Sequence, residues 1–85
     1  METTLAFSVT RDNCAEIFAD LLRRNREKSV HYVRRALHCD MDTAEDVAQD
    51  AFAIAYEKLP AFRGDSAIDS WFFTILTRRI YHYRR

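Results

Sequence analysis

The sequence predicts an all-α fold, a small bundle of three to four helices, and three observations carry that prediction. Its 85 residues include one Gly and one Pro, so the turn punctuation that a sheet needs is missing. No stretch alternates apolar and polar residues with the two-residue period of a half-buried strand. Instead, apolar residues, 48% of the chain, recur at steps of three and four along most of its length. A chain this short makes one domain and buries only roughly 60% of the surface its unfolded form exposes.

Residues 1–11 show no period and are expected to be a flexible leader before a single domain over 12–85. Asn13 is the expected cap of the first helix, with Glu16 as its capping-box partner, and Cys14, Ile17, Phe18, Leu21 and Leu22 form an apolar stripe. The stripe falters from Arg23 to Ser29 and resumes at Val30, Val33, Ala36 and Leu37. With no Gly or Pro between, this is either one bent helix or two helices broken near Asn25 to Lys28. After the connection His38-Cys39-Asp40-Met41, Asp42 is expected to cap a helix running to Leu59, with Glu45 at the capping-box position. Asp42, Glu45 and Asp46 also complement the dipole of its first turn.

Ala44, Val47, Ala48, Ala51, Phe52, Ala55 and Leu59 recur on one face of that helix, and their small size lets neighbouring helices approach. Pro60 is expected to end it, because the residue before a proline avoids the helical region. Ala61 to Asp65 is loop, with Gly64 free to take a positive φ. Ser66 is expected to cap the final helix with Asp69, and Ile68, Trp71, Phe72, Ile75, Leu76, Ile80 and Tyr83 form its inward stripe. The helix is still in stride at Arg85, which leads us to expect a longer parent chain.

The formal net charge is zero, but the charges are segregated. Arg23, Arg24, Arg26, Lys28, Arg34 and Arg35 cluster against Glu27 alone, whereas Asp40 to Glu57 carries Asp40, Asp42, Glu45, Asp46, Asp50 and Glu57 with no base. From Arg78 onward the charges are basic again. Opposed charged faces suit one basic and one acidic partner surface. The first ten residues lack the basic n-region and long apolar core of a signal peptide, so none is expected, and with the thiols Cys14 and Cys39 a reduced, cytoplasmic setting is the expectation. No apolar run approaches the roughly 20 residues a membrane span needs.

Three features are candidates for function. Asp46, Gln49, Asp50 and Glu57 form an acidic ridge opposite the apolar stripe, flanked by Ile54 and Tyr56. Charged helix faces are often only solvated, but flanking apolar residues fit the docking of a basic helix better than idle solvent. On the last helix, Phe73, Thr74, Thr77, Arg78, Tyr81, His82 and Arg85 lie outside the buried stripe. Aromatic rings stack on unpaired bases while Arg and Thr contact phosphate, so this mixture suits a single strand, unless the aromatics pack under another part of the protein. Phe62, Arg63, Gly64, Asp65 and Ser66 make a short loop at a helix N-terminus, able to cup a base or phosphate or to serve as a plain capped turn.

No catalysis, cofactor or metal is expected. The chain has no H-E-x-x-H, C-x-x-C or Gly-rich phosphate loop, and His31, His38 and His82 are far apart. The neighbours His38, Cys39 and Asp40 rarely converge on one ion from a helix end.

The run D-T-A-E-D-V-A-Q-D-A-F-A-I-A-Y-E-K-L-P-A-F-R-G-D-S-A-I-D-S-W-F-F-T-I-L-T-R-R resembles region 2 of sigma factors of the extracytoplasmic-function group. The likeness covers about residues 14 to 85 and rests on coupled Q-D-x-F, F-R-G-D-S and W-F-F-x-I motifs at matching spacing. It implies a bacterial transcription initiation factor that binds RNA polymerase core and recognises and melts the promoter minus-ten element. By resemblance, the helix with Asp46, Gln49, Asp50, Phe52, Ile54 and Glu57 grips the clamp coiled coil of the β′ subunit. The loop Phe62 to Ser66 captures a flipped base, and the helix from Ile68 lies along the non-template strand, with Phe73, Thr77, Arg78, Tyr81, His82 and Arg85 facing DNA. An anti-sigma factor partner is implied too.

The chain departs from the family at Arg78, where Asn is usual, and at Leu76 and Thr77. The family's region 4 domain is absent from these residues. Arg78 leaves room for another class of function, a sigma-like module that binds polymerase or an anti-sigma factor without reading DNA sequence.

Overall fold

In this computed structural model, which describes residues 13 to 84, the first element is one uninterrupted helix, α1 (Cys14–Leu37). The expected leader and Arg85 lie outside the described residues. The faltering stripe does not mark a break. Asn25 and Ser29, 8% and 4% exposed, occupy the core-facing positions between Leu21 and Val33, so the four-residue step continues through polar side chains. Burial of Asn25 is tolerated because its amide donates to the Leu21 carbonyl at 3.0 Å and to the Asp69 carboxylate at 3.1 Å.

Asn13 stands at the α1 N-cap position, but its backbone (φ −108°, ψ 1°) is not the extended form that side-chain capping uses, and it makes no capping bond through its side chain. The helix ends on His38 in the left-handed region (φ 53°), a conformation that His adopts more readily than most non-glycine residues. That tight reversal moves the next start forward. The cap of α2 (Met41–Lys58) is Asp40, not Asp42: its extended backbone lets the carboxylate accept from the Thr43 amide at 2.9 Å. Asp42 lies in the first turn, where it complements the dipole.

The helix stops at Lys58, and a 3₁₀ turn, Leu59–Ala61, takes up Pro60 where a missing N–H leaves no ladder bond broken. Helix α3 (Ile68–Arg84) begins two residues beyond Ser66, its first turn closed by the Trp71 amide on the Ala67 carbonyl at 3.0 Å. Asp69 is not turned to a cap; it faces α1 and takes Arg24 at 2.6 Å as well as Asn25.

Arg24 joins the start of α3, whereas the Arg84 guanidinium donates to the Ala36 carbonyl at 2.8 Å. Together these ties make α1 and α3 parallel, with α2 antiparallel between its short connections. The core sits where all three meet: Leu21, Val33, Ala44, Ala51, Ala55 and Leu59 are fully buried, and Phe72 and Leu76 nearly so. Phe52 stacks on Phe72 with centroids 4.3 Å apart and planes 18° from parallel. Burying each such ring contributes about 1.5–3 kcal/mol. The alanines of α2 bring backbones close enough for that layer to form. Tyr83, expected inside, is 56% exposed, and the buried stripe of α3 ends at Ile80.

Candidate functional site

The buried row of α2 decides what the rest of that helix presents. With Ala44, Val47, Ala48, Ala51, Phe52 and Ala55 turned inward, Asp46, Gln49, Asp50 and Glu57 are all exposed on the far side. Their shoulders differ. Tyr56, 52% exposed, leans on Phe18 of α1 with ring centroids 5.0 Å apart, while half-buried Ile54 faces α3. Phe52 does not belong to this surface: at 5% exposure its ring is committed to Phe72, so the expectation of a direct partner contact from Phe52 is corrected to a supporting role. Asp50 reaches across to Arg79 of α3 at 3.3 Å.

Between α2 and α3 runs an open groove of about 680 Å³, lined by Ile54 and Lys58 from α2 and by Trp71, Ile75, Arg78, Arg79 and His82 from α3, with Ser66 at its loop end. No described residue in its wall is acidic. The apolar floor of Ile54, Trp71 and Ile75 lies under a rim of cations, chemistry that would suit a flat, anionic ligand. Lys58, Trp71 and Arg79 are functional candidates that the sequence reading misses. The signal is present, since Lys58 is four residues past Ile54 and Arg79 four past Ile75, on the same helical faces.

The loop Phe62 to Ser66 stands at the mouth of this groove. Phe62 is half-buried, tilted against Trp71 with centroids 5.1 Å apart, and so anchors the loop. Arg63 and Asp65 form a loose pair at 3.8 Å with side chains 82% exposed. Gly64 adopts φ 79°, the left-handed region, with open space where a Cβ would stand. Its requirement is therefore conformational and not steric.

The residues expected along one outer face of α3 divide between two. Arg78 and His82 line the α2 side, but Phe73 faces α1, its ring 4.8 Å from that of Tyr32. Thr77 is half-buried and donates its hydroxyl to the Thr74 carbonyl at 3.0 Å. Tyr81 is 59% exposed and meets the neighbouring His82 ring edge-on at 6.2 Å. Arg85 lies outside the described residues.

Two carboxyls are held below their ordinary value of 3.8. Hydrogen bonds from Thr43 lower Asp40. For Asp69 burial pushes upward, but hydrogen bonds from Arg24 and Asn25, helped by the charges of Arg24 and Lys28, outweigh it. Both are structural carboxylates and neither belongs to the acidic ridge. Among the described residues no cluster of His, Cys, Asp or Glu is arranged to hold a metal ion, and no helix is long and apolar enough to cross a membrane.

The sequence is similar to that of known proteins. The family model Sigma-70 region 2 matches residues 21–85. RNA polymerase sigma factor YlaC of Bacillus subtilis is 41% identical over 56 residues, which are 66% of this chain and 32% of that protein. RNA polymerase sigma-H factor of Pseudomonas aeruginosa is 42% identical over 55 residues, 65% of this chain and 28% of that protein. The chain thus matches about a third of the length of these relatives. No solved structure matches significantly.

Proposed function

The chain belongs to the sigma-70 region 2 family, and from that premise we propose that it is the part of a bacterial transcription initiation factor that joins RNA polymerase core to the promoter minus-ten element. One observation carries the reading: the charges are segregated, with the acidic ridge Asp46, Gln49, Asp50 and Glu57 on the outer side of α2 and, beside it, the α2–α3 groove lined by Lys58, Arg78, Arg79 and His82 and by no acidic residue, the two meeting at the Asp50–Arg79 pair. The outer face of α2 therefore suits a basic protein surface, and the groove between α2 and α3 suits an anionic strand.

In this account the ridge docks on the β′ clamp coiled coil, and Ile54 and Tyr56 at its shoulders give the contact an apolar margin. The groove holds the backbone of the non-template strand. Trp71 and the loop from Phe62 to Ser66 take an extruded base, for which Gly64 lets the backbone turn sharply. Melting needs no chemistry from the protein. Extruding a base costs a few kcal/mol, and stacking returns about 1–3 kcal/mol per base, so capture alone can hold the strand open. No catalytic role is assigned to any residue. An anti-sigma factor that covers the ridge would keep the domain from polymerase.

Arg78 favours a second reading. A guanidinium where the family usually places Asn binds phosphate without regard to sequence, as a module that engages polymerase or an anti-sigma factor without reading the promoter would do. Fluorescence anisotropy with single-stranded minus-ten and scrambled oligonucleotides separates the two. The sigma reading predicts tighter binding of the minus-ten sequence; equal, steeply salt-dependent binding of both supports the module instead. For the protein contact, Asp46→Arg is expected to abolish capture of polymerase core, and undiminished capture would sink the docking claim.

A further inference from the structure

The cationic run Arg23 to Arg35 has no part in the reading above, nor does the apolar groove it borders. That groove, about 840 Å³, lies between α1 and α3 on the side of α3 away from Arg78. Phe72 and Leu76 form its floor, the Tyr32 and Phe73 rings meet at 4.8 Å in its wall, and Lys28, His31 and Arg35 stand along its rim. Phe73 is 44% exposed, although Phe72 before it is in the core. Lys28 and Arg35 are two helical turns apart, about 10 Å, on one face of α1.

The one carboxylate in the wall, Asp69, is already bound by Arg24 at 2.6 Å and by Asn25, which leaves the rim net positive. Among the described residues Arg35 makes no ion pair. Ser70 and Thr74 line both this groove and the α2–α3 groove. They are small, exposed, and a single helical turn apart, with the Thr74 hydroxyl folded back onto the Ser70 carbonyl at 3.2 Å. The wall between the two grooves is therefore a low ridge and not a barrier.

We propose that the α1–α3 groove is a second channel for unpaired DNA, into which the strand held by the α2–α3 groove passes over Ser70 and Thr74, with phosphates on Lys28 and Arg35 and a base against Phe73 and Tyr32. The inference rests on the DNA-binding reading of the α2–α3 groove. Cations spaced along an aromatic-walled cleft match a phosphate backbone with stackable bases better than they match an acidic peptide, which has no use for the exposed ring.

The test is anisotropy with fluorescein-labelled single strands of two lengths, a hexamer of the minus-ten sequence and the same hexamer extended by ten thymidines at either end. The double variant Lys28→Glu/Arg35→Glu is expected to leave hexamer binding unchanged, to weaken one extended strand about tenfold, and to flatten its salt slope by roughly 0.7 for each phosphate left without its cation. Phe73→Ala should weaken the same strand at least fivefold with the slope kept, since base stacking is not ionic. Arg78→Glu should weaken hexamer and extended strands alike. If the double variant binds both extended strands as the wild type does, or loses the hexamer equally, the second channel is refuted. If Arg78→Glu has no effect while the double variant abolishes binding, the α2–α3 reading fails and the channel stands as the main DNA site. Displacement of the extended strand by an oligoglutamate more effectively than by unlabelled strand would assign the groove to protein and overturn the proposal.

Discussion

Replacing Asn25 with Ala tests how α1 is kept continuous. Asn25 is buried and makes two bonds, one to the neutral Leu21 carbonyl and one to the charged Asp69 carboxylate. The first is worth about 1 kcal/mol and the second about 1.5–3 kcal/mol, at the low end here because Arg24 still satisfies Asp69. A loss of about 2–3 kcal/mol follows, which for a domain of this size lowers Tm by roughly 10–20 °C. The assay is thermal and urea unfolding followed by circular dichroism, with m held constant as the check that the folded state keeps its compactness. Asn25→Asp supplies the contrast. Of nearly the same shape, it sets a carboxylate against Asp69 and should be worse than Ala at pH 7, yet recover toward pH 4 as the pair takes up a proton. An Asn25→Ala variant melting within about 2 °C of wild type would refute the argument that this side chain carries the polar stretch of α1.

Other outcomes follow from the same geometry. Asp69 has a carboxyl held below 3.8, so the unfolded chain takes up the proton first; its stabilisation is whole above that pH and is lost as pH falls through the lower folded value. Asp69→Asn should flatten that acid limb in urea titrations, and an unchanged limb would place it elsewhere. Phe72→Ala should cost about 3–5 kcal/mol, since the ring is 1% exposed and stacked on Phe52. Gly64→Ala should cost about 1–2 kcal/mol from its φ of 79°, with no clash to add, and should weaken minus-ten binding if the loop holds a base. The Asp50–Arg79 pair is exposed on both sides, so a double-mutant cycle should return a coupling below about 1 kcal/mol; a larger value would show that the ridge and the groove are energetically linked.

The helices of this chain are legible in sequence wherever their inward residues are apolar. The α2 row from Ala44 to Leu59 is buried without exception, and the α3 stripe holds as far as Ile80. Sequence misleads where a polar residue does an apolar residue's job. Asn25 looks like an interruption because its burial depends on a partner distant in the chain, Asp69, which no local period records. The cap of α2 is misplaced by two residues for a related reason: Asp40 and Asp42 are equally good caps, and only the left-handed His38 selects the earlier. The exposure of the acidic ridge depends on one helix alone and is legible from its spacing. The faces of α3 depend on the positions of its neighbours, so Phe73 groups with Arg78 in sequence although α1 claims one and α2 borders the other.

The proposed protein and DNA surfaces lie on adjacent faces of the domain, meeting at Asp50 and Arg79, and are expected to act separately. Asp46→Arg and Arg78→Glu, each measured for binding to a β′ clamp coiled-coil fragment by calorimetry and to a minus-ten single strand by anisotropy, test that separation most directly. Asp46→Arg is expected to lose the clamp and keep the strand, and Arg78→Glu to do the reverse. Loss of both ligands by either variant, with folding intact by circular dichroism, would contradict it.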